Sequence, residues 1–265
     1  MPELPDVEVF KRYLDATALH QEIEGIAVSD ERILANASRQ SLGRRLKGRT
    51  LEETRRHGKH LFARAGGGDT GWLRLHFGMS GFLRYFKRDD RRPGHVRFEM
   101  AFANGFSLAY DCRRLLGEVG WADSPESFAR AAELGPDALN DLDADRLQAL
   151  LAGRRGMLKA ALMDQSLVAG IGNVYSDEIL FQARLHPRTP VGDLAKKDFA
   201  RLFEALQKVL QAAIEAQADP QKLPDGYLIP HRGKEGQCPR CGGALEKIAV
   251  SGRKGYVCPS CQTGK

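Results

Sequence analysis

The chain has 265 residues, 42% of them apolar, and a formal net charge of +6. That is enough to build one large or two medium cores, and no apolar run is long enough to span a membrane, which excludes a protein of helical spans. The start lacks the charged and apolar regions of an export signal, so a soluble, cytoplasmic protein is expected. The basic residues gather in clusters: Arg44, Arg45, Lys47 and Arg49; Arg55, Arg56, His57, Lys59 and His60; Lys87, Arg88, Arg91 and Arg92. Such clusters fit a polyanion partner, although charge runs are more often solvated faces.

The chain opens Met1-Pro2-Glu3. Removal of Met1 before the small proline would expose a secondary amine with a carboxylate beside it, whereas a retained methionine would leave an unreactive amide. An α-amino group has a reference pKa of about 7.7–8.0 against about 10.4 for lysine, so near neutral pH more of it is the free base that attacks an electrophilic carbon. The plainer reading of Pro2 is processing and helix initiation. Pro5 then suits a helix N1 position, Asp6 and Glu8 suit its first turn, and Val7, Phe10, Tyr13 and Leu14 keep helical spacing.

From about residue 23 to 111 the pattern is that of strands. Leu73, Leu75 and Phe77 alternate with Arg74 and His76; Val96, Phe98, Met100 and Phe102 alternate with Arg97, Glu99 and Ala101. Asn104-Gly105 is a hairpin signal leading to Phe106, Leu108 and Tyr110. An antiparallel β domain is expected.

After Asp123-Ser124-Pro125 helical patterns run to about Ala218. Phe199, Leu202, Phe203, Leu206, Val209, Leu210, Ala213 and Ile214 mark one face of a long amphipathic helix. Gly170-Ile171-Gly172-Asn173 reads as a tight turn feeding a helix, whose amides could hold a phosphate; an ordinary helix–helix turn is the alternative. The dinucleotide fingerprint is not met, because Tyr175 stands where a third glycine belongs. Residues 219–237, rich in proline and glycine, read as a linker or loop.

At the end, Cys238-x2-Cys241 and Cys258-x2-Cys261 have the spacing of one structural zinc site, with a short hairpin over Leu245 to Val250 and Tyr256-Val257 joining the knuckles. Two disulfides are the alternative, which the absence of an export signal disfavours. Cys112 is left as a buried free thiol.

Pro2-Glu3-Leu4-Pro5-Asp6-Val7-Glu8, His76-Phe77-Gly78-Met79-Ser80-Gly81, Asp111-Cys112-Arg113-Arg114, the Gly170 to Asn173 turn and the final cysteines occur in one order. In this combination the chain closely resembles the formamidopyrimidine-DNA glycosylases of the bacterial Fpg/Nei superfamily, from Pro2 to the last cysteine pair. The resemblance implies an α+β multidomain enzyme of base-excision repair: an N-terminal antiparallel β-sandwich with a leading helix (1–125), a helix-two-turn-helix DNA-binding domain (126–225), and a linker with a four-cysteine zinc hairpin (226–265). It implies a monomer bound to double-stranded DNA that carries damaged bases or abasic sites in the cleft between the halves, near the bacterial nucleoid, with one structural Zn2+ and no membrane partner.

By the same resemblance, Pro2 is the nucleophile that attacks C1′ of the damaged nucleotide, Glu3 the acid/base group that helps open the deoxyribose ring, and Lys59 a group near the sugar-phosphate. DNA contacts fall to His76, Met79, Arg113, Leu115, Asn173 and Arg253: Asn173 and Arg253 at phosphates, and Met79, Arg113 and Leu115 in the space left by an extruded base. Plainer roles exist for Lys59 as an exposed cation, Asn173 as a helix cap, Arg253 as turn decoration and Met79 as core. Three positions depart from the common family pattern: Leu115 stands for phenylalanine, Asp6 for glutamate and Cys112 for proline. The stretch from Ala218 to Cys238 is also shorter than the family segment whose loop closes over a flipped 8-oxoguanine, which leaves formamidopyrimidines, 8-oxoguanine and, as in Nei-type enzymes, oxidised pyrimidines open as substrates. A noncatalytic zinc-dependent DNA-damage sensor would need no free Pro2 amine, and a proline-based tautomerase would need no zinc hairpin.

Overall fold

The computed structural model describes residues 1–67, 71–88, 90, 92–233 and 235–263; Arg91 of the third basic cluster lies outside them. Two compact units emerge, one of residues 1–2 and 6–132, the other of residues 3–5 and 133–265.

The leading helix α1 spans Leu4–Thr17, all but its first two residues in the first unit, so Pro5 is its second residue rather than its first. Val7 and Leu14 are fully buried, and the Phe10 ring lies 4.5 Å from that of Phe77. Strands β1 (Ile23–Val28), β2 (Leu34–Ala35), β3 (Leu51–His57), β4 (His60–Ala65), β5 (Gly71–His76), β6 (Phe82–Lys87), β7 (Val96–Phe102), β8 (Phe106–Asp111) and β9 (Glu118–Ala122) follow, with α2 (Arg39–Leu46) after β2. They form a four-stranded sheet in the order β1-β7-β8-β6 and a five-stranded sheet in the order β2-β9-β5-β4-β3. Only the short β2 runs parallel to its neighbour among the described pairs. Leu61, Ala63, Leu73 and Leu75 from one sheet and Phe98, Met100, Phe102, Leu108 and Tyr110 from the other share one core, as a sandwich requires.

Burial along β7 alternates as its sequence predicts. The Asn104-Gly105 hairpin closes through a three-residue loop: Gly105 takes a φ of 85° and donates to the Phe102 carbonyl at 3.1 Å, and Asn104 Oδ1 accepts the Phe106 N–H at 3.0 Å. Strand β5 corrects the expectation of one polar face. Arg74 is buried, because α3 (Pro125–Ala131) covers that side and sets the Phe128 ring 4.6 Å from the guanidinium. This helix begins where Asp123-Ser124-Pro125 ends the strands: the Ser124 and Ser127 side chains cap each other's backbone amides, and Pro125 takes the first position.

The second unit contains α4 (Ala144–Leu151), α5 (Leu158–Met163), α6 (Asn173–Gln182) and α7 (Lys196–Glu215) around one apolar cluster. The whole predicted face of α7 is buried except Phe203, which is partly so. Helix α6 is buried all round from Tyr175 to Phe181, including Asp177 and Glu178. No helix of the described residues is long and apolar enough to cross a membrane.

Residues 219–237 are not a bare linker. Tyr227 and Leu228 are buried, and the Glu178 carboxylate accepts the N–H groups of Leu228 at 3.0 Å and Ile229 at 2.8 Å. A buried carboxylate needs donors and this segment's amides need acceptors, so each satisfies the other. The chain then forms the hairpin of β10 (Glu246–Val250) and β11 (Arg253–Val257). Ser251 and Gly252 both have positive φ, the geometry of a two-residue hairpin turn. Strand β11 therefore starts three residues before the predicted Tyr256.

Candidate active site and metal centre

The Gly170–Asn173 turn holds an anion, but one supplied by the chain itself. Glu3, 1% exposed, accepts the N–H of Gly172 at 2.7 Å and of Tyr175 at 3.2 Å on one carboxylate oxygen, and of Val174 at 2.8 Å on the other. The positive end of α6 thus faces a carboxylate, and the expected phosphate pocket is already filled. A Cβ on Gly172 would collide with that carboxylate, and one on Gly170, whose φ is 116°, would collide with Leu4. The neighbouring Leu4 N–H donates to the Gly170 carbonyl at 3.1 Å. Glycine at both positions is what lets residues 3 and 4 approach the turn. Pro2, half-buried, is joined to this clamped residue by a single peptide bond.

Asn173 is the first residue of α6, and Gly172 holds the cap position that a plain reading gives to Asn173. Its amide Nδ2 donates to the Lys254 carbonyl of β11 at 2.9 Å, while its buried Oδ1 finds no partner among the described residues. Arg253 is exposed and follows directly on the Ser251-Gly252 turn. The second unit thus brings Glu3, Asn173 and the base of the Arg253 strand to one end of α6.

The first unit gathers a different set. Lys59 lies in the tight turn between β3 and β4, with Gly58 at a φ of 55°. Close by, the His60 and His76 rings lie 4.8 Å apart, tilted at 31° to each other. Burial above all, then the charges of His76, Arg74, His57 and Lys59, holds the His60 pKa down at about 2. Burial also lowers that of His76, against the pull of Glu118, with Arg74 and Lys59 adding to the decrease. Both imidazoles are neutral at neutral pH. Arg74 donates to Glu118 at 2.8 Å.

Met79, 42% exposed, projects from a turn in which Gly81 N–H donates to the Phe77 carbonyl at 2.8 Å. Gly78, at a φ of 55°, has no room for a Cβ against the Leu116 backbone, so this turn and the Arg113–Leu116 loop lie together. Arg113 is exposed. Leu115 is partly buried with a φ of 52°, and Leu116 is the more exposed of the two leucines at 50%. Sequence reading singled out Leu115 alone.

The basic clusters are partly consumed by the fold. Arg56 is buried against Glu8 at 2.9 Å, Arg45 and Arg55 lie over Trp121 and Trp72, Arg88 pairs with Glu24 and Arg92 with Glu99. Sequence reading also missed Lys159, Asp177 and Arg232, three charges joined inside the second unit. Nothing in their local sequence separates them from surface residues.

Cys238, Cys241, Cys258 and Cys261 bring their Sγ atoms within 4.8 Å of one another. The pairs Cys238–Cys261 at 3.8 Å and Cys241–Cys258 at 3.5 Å are far too long for disulfides, whose sulfurs sit about 2.05 Å apart. They suit one tetrahedral zinc ion, since bonds of about 2.3 Å place sulfurs roughly 3.8 Å apart. Cys112 is buried and free, as expected.

Comparisons with known proteins agree along the whole length. Residues 1–119 match the formamidopyrimidine-DNA glycosylase N-terminal domain, residues 134–224 the formamidopyrimidine-DNA glycosylase H2TH domain, and residues 237–264 the zinc finger found in FPG and IleRS. A formamidopyrimidine-DNA glycosylase of Geobacter metallireducens is 34% identical over 99% of this chain and 100% of its own length. Among solved structures, wild-type Lactococcus lactis Fpg (MutM) in complex with DNA containing N7-benzyl-Fapy-dG is 29% identical, with a TM-score of 0.89 over 99% of this chain and 100% of the other. The Lactococcus lactis Fpg complex with DNA containing an abasic site is 28% identical, with a TM-score of 0.89 over 98% and 99%. The order of the three domains, the identity over the full length and the shared fold together show that this chain belongs to the formamidopyrimidine-DNA glycosylase family.

Proposed function

We propose that the chain is a base-excision repair glycosylase with AP lyase activity, acting as a monomer on double-stranded DNA that carries ring-opened or oxidised bases or abasic sites. The observation that carries this reading is the Glu3 carboxylate, buried and held by three amides at the start of α6, next in the chain to Pro2. Family relatives solved on Fapy and abasic-site DNA support the substrate class.

With Met1 removed, the Pro2 nitrogen attacks C1′ of the damaged nucleotide, forming a C–N bond as the bond to the base breaks and the base leaves with the electron pair. Glu3 serves as the acid/base group for the sugar, taking up the proton that the Pro2 nitrogen sheds on attack and passing it to the ring oxygen as the ring opens to an iminium. The charged nitrogen acidifies the 2′ proton; its loss expels the 3′ phosphate, and a second elimination expels the 5′ phosphate. Water then hydrolyses the iminium and frees Pro2. Lys59 is assigned to the sugar-phosphate, His76, Met79, Arg113 and Leu115 to the DNA around the extruded nucleotide, and Asn173 and Arg253 to phosphates. The zinc ion shapes the hairpin and takes no part in the chemistry.

The division of labour follows the chain: a catalytic sandwich over residues 1–125, a helix-two-turn-helix DNA-binding part over 126–225, and a zinc hairpin with its lead-in over 226–265. The site of action is the cytoplasm, at the bacterial chromosome. Borohydride trapping on abasic-site DNA tests the reading: processed protein should form a covalent adduct at Pro2, Pro2→Gly should form it more slowly, and protein retaining Met1 should form none. An adduct of unchanged yield with Met1 retained would overturn the assignment.

A further inference from the structure

We infer that Asp177 is a positioning residue for DNA binding: its carboxylate sets the place of the zinc hairpin on α6, and so of Arg253 and Asn173. This rests on the assignment of those two side chains to phosphates.

The Asp177 carboxylate gathers three donors from three separate segments. Lys159 of α5 donates to Oδ1; Arg232, from the segment before the hairpin, donates to Oδ2 at 2.8 Å, and the Tyr256 N–H of β11 to the same oxygen at 3.1 Å. Lys159 and Asp177 are fully buried, and the Arg232 guanidinium lies 5.3 Å from the Tyr256 ring. One helical turn earlier on the same face of α6, Asn173 donates to the Lys254 carbonyl. Between these two bonds sits Gly255, where a Cβ would collide with the Lys159 ammonium and the Asp177 carboxylate. Lys254 and Tyr256 are therefore bonded to α6 through their backbone, with Gly255 close-packed between them, and Arg253 is the residue immediately before this stretch.

Stability alone is a poor explanation. Burying a carboxylate between two cations costs desolvation, and apolar residues of similar size commonly stabilise a core as well or better. What charge and hydrogen-bond direction supply is placement, since a carboxylate with three donors on defined lone pairs admits few arrangements. Glu178 extends the same device, because it anchors Leu228 and Ile229 and so delivers Arg232 to Asp177.

The test is a double-mutant cycle of Asp177→Asn with Arg253→Ala, read on processed, zinc-loaded full-length protein with abasic-site duplex. Arg253→Ala should weaken binding about tenfold in the parent, the size of a lost charged hydrogen bond. In the Asp177→Asn background it should weaken binding less than about twofold, because an arginine already displaced has little left to lose. The DNA concentration for half-saturation should rise in Asp177→Asn while the single-turnover rate at saturating DNA stays near the parent value and zinc remains at about one per chain. Should Asp177→Asn lose its zinc, the apolar pair Lys159→Met/Asp177→Leu replaces it in the same cycle. Multiplicative effects of the two substitutions would overturn the inference while leaving the phosphate assignment of Arg253 intact. If Arg253→Ala has no effect in the parent, that assignment fails and the inference with it, whereas borohydride trapping reports separately on the glycosylase reading.

Discussion

Glu3 lies 169 positions before Gly172, yet its carboxylate accepts the Gly172 N–H at 2.7 Å in space that a Cβ would fill. Gly172→Ala should therefore displace the carboxylate without touching the zinc site or Arg253. Base excision should fall about a hundredfold or more, the usual size of a lost acid/base contribution, with abasic-site DNA still bound. Single-turnover excision and a binding isotherm on the same preparation measure this. A near-parental excision rate would show that the clamp does not place Glu3 for catalysis.

The neutral His60 makes stability depend on pH. Its folded pKa, about 2, lies below the reference of about 6.5 for an unfolded histidine. As pH falls through the unfolded value, the unfolded chain takes up a proton that the native site refuses, so stability present above about pH 6.5 is lost on acidification toward the folded value. Between pH 7.5 and 5.5 the loss from this residue should be about 1 kcal/mol. Denaturant titrations at the two pH values should show the drop in the parent and a smaller one in His60→Gln. Equal drops would assign the dependence elsewhere.

Zinc removal should abolish DNA binding. The apolar cluster under the hairpin contains Phe181, Leu228, Cys238 and Cys258 as its buried members, two of which are ligands, so the metal is a main tie between the two knuckles, while Asp177 and Asn173 hold only β11 on α6. A strong chelator, or Cys258→Ser, should release about one zinc per chain and leave no measurable affinity for abasic-site duplex. Chelated protein that binds such DNA as before would show that the hairpin is dispensable.

Two features bear on lesion choice. The amides of Leu228 and Ile229 are committed to Glu178, so this short segment does not offer them to a flipped base, and specificity built on donors disappears when the donors are occupied. If Leu115 fills the space left by the extruded base, as proposed, it also gives up aromatic stacking of about 1–3 kcal/mol per base. Ring-opened purines, oxidised pyrimidines and abasic sites should be processed faster than 8-oxoguanine opposite cytosine, by single-turnover rates on matched duplexes. Leu116→Ala should slow excision of intact lesions more than Leu115→Ala does, since Leu116 is the more exposed, while abasic-site cleavage changes little. A clear preference for 8-oxoguanine would contradict the first expectation, and a larger loss with Leu115→Ala the second.

The sequence by itself determined what depends on neighbours in the chain. Cysteine spacing announced the metal site, two-residue alternation announced β7, helical spacing announced α7, and Asn104-Gly105 and Ser124-Pro125 marked where elements turn or begin. Those signals are local because backbone conformation and side-chain period are set within a few residues. Tertiary structure alone decided which charges are buried. Arg74, Asp177 and Glu178 look like surface residues in any short window, and the Gly170–Asn173 turn looks like a free anion site until Glu3 arrives from the other end of the chain. Residues 219–237 read as a linker for the same reason: nothing within them reveals the carboxylate that holds their amides. A buried polar group is stable only with its partner, and that partner is brought by the fold from a distant part of the sequence.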